Sequence, residues 1–117
     1  MKIDFNNERP IYLQLVESIR LEIISGKLKQ GEKLPSVRDY ALKARVNPNT
    51  MQKALSELET EKLIYTERTN GKYVTNDQKI IDKIKESYVK EKLKTFLSDM
   101  NEIGIDKDIA ISYINKL

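Results

Sequence analysis

The segment from Leu34 to Val74 constrains this 117-residue chain more than any other, because two short helical patterns meet there at a tight turn and a hairpin signal follows. In Asn47-Pro48-Asn49-Thr50, Asn47 suits an N-cap that accepts from an unpaired backbone N–H, and Pro48 suits the first helical position, where no donor is lost. Met51, Ala54, Leu55 and Leu58 then recur at i, i+3, i+4 and i+7, the spacing of one buried helical face. The opposite face carries Asn49, Thr50, Gln52, Lys53, Ser56 and Glu57, most of which can hydrogen-bond to a base edge or a phosphate. An outward face of this kind is what a DNA recognition helix requires.

The flanking residues supply the other elements. A first helix is expected from about Pro10 to Ser25, with Tyr12, Leu15, Val16, Ile19 and Ile23 as its apolar stripe, proline at its start and Gly26 just past its end. Lys27 to Lys33 turns around Gly31, and Pro35 holds Leu34 extended. Ser36 then caps a second helix, with Asp39 three residues on and Val37, Tyr40, Ala41 and Ala44 facing inward, which ends near Arg45 and Val46. Leu63 to Arg68 and Lys72 to Thr75 read as strands joined by Thr69-Asn70-Gly71, where Asn-Gly is a hairpin signal because both residues accept positive φ. Helix, helix, turn, helix, hairpin is the order of a winged helix-turn-helix, and a tip with Arg68 and Lys72 suits a minor groove or flanking phosphates.

Composition removes several competitors. The chain has neither His nor Cys, which excludes His/Cys zinc sites, Cys nucleophiles, His general bases and any disulfide framework. Its 18 acidic residues are scattered among 21 basic ones with no convergent pair at a Gly-rich loop, so neither enzyme chemistry nor a cofactor is expected. No apolar run approaches the roughly 20 residues that cross a bilayer, and Met1-Lys2-Ile3-Asp4-Phe5-Asn6-Asn7 lacks the apolar stretch of a secretory signal; a soluble, cytoplasmic protein without a membrane partner is expected. All of the net charge of +3 lies in residues 1–75, with 13 basic and 10 acidic residues, while residues 76–117 hold 8 of each. That balance is compatible with phosphate contacts from one face.

Beyond Asp77 a long helical pattern runs through Ile81, Ile84, Tyr88, Val89, Leu93, Phe96, Leu97, Met100 and Ile103, about 25 residues and so roughly 37 Å of helix. Gly104 breaks it, and Asp106 caps a last helix with Ala110, Ile114 and Leu117 on one face and Ile109 and Tyr113 beside it. The division expected is a winged helix-turn-helix over residues 1–75 and a C-terminal helical pair over 76–117. So much apolar surface on a short appendage is most simply covered by a second copy of the chain, through Ile84, Tyr88, Val89, Leu93, Phe96, Leu97, Met100 and Ile114. The alternative is packing within one chain against the first helix. About 40 residues are few for an enclosed effector pocket, so a site for a small-molecule effector, which the sequence does not specify, is expected at the dimer junction or not at all.

The runs Leu34-Pro35-Ser36-Val37-Arg38, Val46-Asn47-Pro48-Asn49-Thr50-Met51-Gln52-Lys53-Ala54, Leu63-Ile64-Tyr65 and Gly71-Lys72-Tyr73-Val74 resemble the GntR family of bacterial transcription regulators. With Pro10-Ile11-Tyr12 upstream and a short tail behind, the chain looks most like the small YtrA-like branch. The resemblance covers residues 9–75 and implies a homodimeric regulator of transcription, more often a repressor, that binds double-stranded DNA. It further implies DNA contacts from Ser36, Arg38, Asn47, Asn49, Thr50, Gln52, Arg68 and Gly71, to which our reading of exposure adds Lys53 and Lys72. Arg45 stands where the family often has a turn glycine, and Thr69 replaces a wing glycine.

Roles follow from side-chain chemistry. The fork of Arg38 matches the two acceptors of guanine, Asn49 and Gln52 match adenine, and Ser36, Thr50 and Lys53 suit phosphates at the positive helix ends. Each residue also has a plain structural use: Arg38 as a solvated helix residue, Asn47 as a cap, Gly71 as a residue chosen for positive φ. Another possible function for the same fold is a winged-helix module that docks on proteins.

Overall fold

The computed structural model describes residues 3–117; Met1 and Lys2, part of the amino-terminal stretch read above, lie outside the described residues. Five helices and one hairpin follow in order: α1 (Ile11–Ile24), α2 (Val37–Ala44), α3 (Pro48–Thr60), β1 (Ile64–Glu67), β2 (Gly71–Val74), α4 (Gln78–Glu102) and α5 (Lys107–Asn115). The mainly helical fold with a small hairpin, a winged helix-turn-helix followed by a helical pair, is the one expected. None of the described helices is long and apolar enough to cross a membrane.

Caps set the helix boundaries. The Ser36 hydroxyl accepts from the Asp39 N–H at 3.1 Å, the Asn47 amide oxygen from the Asn49 N–H at 2.7 Å, and the Asp106 carboxylate from the Ile109 N–H at 3.0 Å. Pro48 occupies the first turn of α3, where its missing N–H costs nothing. Three helices end with the same pair of backbone bonds around a left-handed residue. After α2 the residue is Arg45, after α3 it is Lys62 and after α4 it is Gly104.

The chain divides into two compact units, one reaching to Asp82 and the other running from Lys83 to Leu117, with α4 continuous across the division. In the first, α1 and α2 pack on α3, and Leu15, Ile19, Met51, Leu55, Leu58, Leu63, Ile64 and Val74 are fully buried. Burying each of the larger side chains contributes about 1.5–3 kcal/mol. Gln14, also buried, donates from its amide to the carbonyls of Asn6 (2.9 Å) and Arg9 (2.7 Å) and accepts from the Asn6 N–H (3.0 Å), which fastens the segment before α1 onto that helix.

The hairpin pairs Ile64 with Val74, Tyr65 with Tyr73, Thr66 with Lys72 and Glu67 with Gly71. Ile64 and Val74 face the core, while the rings of Tyr65 and Tyr73 stack with centroids 5.7 Å apart on the other face. Its turn differs from the expected Asn-Gly geometry. The Asn70 N–H donates to the Glu67 carbonyl at 3.2 Å, and only Gly71, at φ 112°, takes positive φ. Three residues, Arg68 to Asn70, span the turn between the strands, and one glycine suffices to restart the ladder.

In the second unit Ala110 is buried and the rest of the α5 face expected inside is open: Ile114 is 48% exposed and Leu117 is wholly so. Along α4, Val89 and Leu93 are each about half exposed, at 50% and 52%, and Ile84, Tyr88, Phe96, Leu97 and Met100 are partly covered.

Candidate nucleic-acid interface

Around α3 the structure separates side chains committed within the protein from side chains left for a partner. Asn49, Gln52, Lys53, Ser56 and Glu57 are exposed, and Thr50 is half-buried. The Gln52 amide donates to the Ser56 hydroxyl at 3.1 Å, which holds it along the helix surface. Asn47 is a cap in fact, its side-chain oxygen occupied by the Asn49 N–H. Lys53 lies with its ammonium 3.9 Å from the ring centroid of Tyr12 on α1. The aromatic face attracts the cation and fixes the direction of a side chain with several freely turning bonds. Tyr12 was legible as an apolar residue of α1; its service to Lys53 was not, because the two meet only when α1 packs on α3.

Lys72 departs from the exposure assumed for it. Its side chain is 15% exposed, its ammonium is 2.9 Å from the Thr66 hydroxyl and 3.6 Å from the Glu59 carboxylate, and Thr66 donates to the same carboxylate. The opposite charge on α3 draws the cation inward from β2, a partner that lies thirteen positions earlier in the chain. Arg38 at the start of α2, Arg45 in the turn and Arg68 at the hairpin tip are exposed, and none of the three has an ion pair or side-chain hydrogen bond among the described residues. The charges of Arg38, in the first turn of α2, and Arg45, two residues before the cap of α3, add to the positive N-terminal ends of those helices, and Arg68 carries its charge at the hairpin tip.

The hairpin and the start of α2 are physically joined. The Leu34 N–H donates to the Lys72 carbonyl at 2.8 Å, the Val74 N–H to the Glu32 carbonyl at 2.9 Å, and the Gly31 N–H to the Val74 carbonyl at 3.0 Å. Residues 31–34 therefore run as a strap along β2, with Lys33 bridged to Tyr73. The sequence pattern predicts only a turn and an extended residue for this stretch, its signals being Pro35 and the apolar Leu34, which proves buried. Ser36 and Arg38 follow directly, so α2 begins where the wing holds it.

Exposed amides and hydroxyls on α3, together with exposed and unpaired arginines on α2, in the turn and at the wing tip, suit a polyanion with readable edges. Comparison with known proteins gives the chain a family. The model for bacterial regulatory proteins of the gntR family matches residues 11–74. The HTH-type transcriptional repressor YtrA of Bacillus subtilis (strain 168) is 34% identical over 118 residues, covering 100% of this chain and 91% of that protein. A GntR family transcriptional regulator from Listeria monocytogenes superposes with a TM-score of 0.85 at 41% identity, over 97% of this chain and 99% of that one. AraR(DBD), solved in complex with operator ORX1, superposes with a TM-score of 0.59 at 25% identity, over 64% of this chain and 96% of that one. The chain belongs to the GntR family of bacterial regulatory proteins, as a YtrA-like transcription regulator with a DNA-binding domain.

Proposed function

We propose that the protein is a cytoplasmic repressor that binds a pseudo-palindromic operator as a homodimer, with residues 1–75 reading DNA and residues 76–117 joining the two copies. The observation that carries the reading is the exposed face of α3, with Asn49, Gln52 and Lys53 outward, together with the exposed and unpaired Arg38 on α2 and Arg68 at the hairpin tip. Arg38 takes guanine, Asn49 and Gln52 take adenine, and Ser36, Asn47, Thr50 and Lys53 hold phosphates and register. At the wing, Arg68 reaches the flanking backbone, Gly71 lets the strand approach it closely, and Lys72 contributes through the position it gives Thr66 and Glu59.

Support for a second copy comes from the apolar residues of α4 and α5 that a single chain leaves open, among them Val89, Leu93 and Ile114. The name of YtrA as a repressor and the operator bound by AraR(DBD) support the regulatory part. Repression then needs only occlusion of a promoter by a dimer whose two α3 helices lie in major grooves about 34 to 36 Å apart, or a multiple of that spacing.

Selection of duplexes from a random pool with the purified protein, followed by affinity measurement across salt concentrations, tests the proposal. A two-fold symmetric motif and an affinity that falls steeply with salt are expected. Retention that ignores salt, or a motif without symmetry, overturns it.

A further inference from the structure

The turn between α2 and α3 holds Arg45 at φ 57° and ψ 47°, in the left-handed region. The backbone requires this geometry: the Arg45 N–H donates to the Leu42 carbonyl at 3.3 Å and the Val46 N–H to the Ala41 carbonyl at 3.0 Å, which together close α2. A side chain there brings its Cβ against the following carbonyl oxygen, a strain that glycine escapes. After α4 the same closure is built with glycine, Gly104 at φ 79°. Among the described residues only Arg45 and Lys62, at φ 65°, adopt positive φ without being glycine.

Strain of this kind is held in place by the surrounding backbone and recurs at functional sites, so it marks Arg45 and Lys62 alike, and position then separates them: only Arg45 adjoins the cap of α3. Within the chain the Arg45 side chain is unused, for it is exposed and its guanidinium has no partner among the described residues. Two positions on, Asn47 caps the end of α3 that meets DNA in the function proposed above. Resting on that proposal, we infer that Arg45 is a phosphate-contacting residue, its guanidinium holding the duplex backbone beside the N-terminal end of α3. It sets register and adds affinity without reading sequence. Lys62 closes the opposite end of the same helix, about 20 Å away along its axis. It carries the same charge and the same backbone strain, so it serves as an internal control.

The test compares Arg45→Gly, Arg45→Lys and Lys62→Gly in the full chain. Both glycine variants remove one positive charge and one left-handed side chain, and each is expected to raise the melting temperature by about 2–5 °C. Only Arg45→Gly is expected to weaken binding, to all duplexes alike, with the slope of log Kd against log salt shallower by about 0.9 for each phosphate no longer neutralised. The weakening relative to the parent chain is then about threefold greater at 50 mM than at 200 mM salt for each such phosphate. Arg45→Lys keeps the parent slope. Unchanged binding by Arg45→Gly overturns the assignment, equal weakening in both glycine variants reduces it to net charge, and weakening confined to one duplex sequence overturns the phosphate role. Failure of the parent chain to bind any duplex at low salt overturns the DNA-binding proposal as a whole, and this assignment with it.

Discussion

The Leu34 N–H donates to the Lys72 carbonyl at 2.8 Å, and this bond ties the segment that launches α2 to the strand that forms the wing. Because Ser36 and Arg38 come two and four residues later, the wing and the first helix of the proposed DNA-facing surface are placed as one piece.

Gly71 sits at φ 112°, and a Cβ added there meets only the Lys33 side chain, 3.5 Å away at Cε, so the conformation and not crowding resists substitution. Gly71→Val is expected to cost about 1–2 kcal/mol in denaturant unfolding. It is also expected to accelerate hydrogen exchange at the Leu34 amide. Exchange at Leu34 that does not change would show that the strap and the wing are not coupled.

Arg38→Ala and Lys53→Ala are expected to fail in different ways. Loss of the Arg38 fork relaxes sequence preference by about 1–3 kcal/mol at one base pair, whereas loss of Lys53 weakens binding to all duplexes alike. Lys53→Ala also forfeits the stacking on Tyr12, worth about 0.5–1 kcal/mol of stability. Competition binding against a panel of operator variants separates the two, and equal loss of specificity in both contradicts the roles given.

Arg20 on α1 grips Glu61 at the end of α3 through two bonds, at 2.8 and 2.5 Å, with both side chains mostly covered. A bidentate pair shielded in this way fixes the angle between the two helices more firmly than a surface pair would. Glu61→Ala is expected to cost about 1–3 kcal/mol, and a double-mutant cycle with Arg20→Ala isolates the interaction. A coupling near zero would mean that water already screens the pair.

Tyr40 is buried on α2, and burial, followed by the nearby carboxylates of Glu22 and Glu32, raises its hydroxyl well above the ordinary tyrosine value. The unfolded chain therefore gives up this proton first as pH rises. Above about pH 10 the folded state binds more protons than the unfolded one, so stability declines with pH, by up to about 1.4 kcal/mol per unit from this group. Below that range the group adds no slope. Tyr40→Phe is expected to show a flatter decline in denaturant titrations between pH 10 and 11, and identical slopes in the two chains would refute the assignment.

Leu93 is 52% exposed midway along α4, on the stripe proposed to meet a second copy. Leu93→Lys is expected to halve the mass seen by sedimentation while leaving helix content by circular dichroism unchanged, because a charge buried between two chains is costly and a charge in water is not. A single-chain mass already in the parent protein would remove the dimer from the proposal.

The helical boundaries were legible because each depends on a few consecutive residues. Ser36, Asn47 and Asp106 cap the helices their positions suggested, and the apolar periods of α1, α2 and α3 point inward as their spacing requires. Arg45 follows the same rule, since closing α2 before an immediate second cap demands a left-handed residue whatever its identity. The hairpin was legible in outline, while its turn was not: Asn-Gly permits two left-handed residues, but the ladder restarts at Gly71 and leaves Asn70 no need to be one of them.

For the candidate site, the exposure of the polar α3 side chains was legible in the sequence and their partners were not. Lys53 and Lys72 look alike in the sequence, two cations near polar neighbours, yet one lies on the ring of Tyr12 and the other turns in toward Glu59 and Thr66. By itself the sequence determined the caps, the periods and the chemical character of the α3 face, since those rest on hydrogen bonds and spacing within a turn or two of chain. Only the tertiary structure decided which cations stay unpaired and how the wing is fastened to α2, because a long side chain takes the nearest favourable charge, ring or carbonyl in space, and nearness in space is set by packing between elements far apart in the chain.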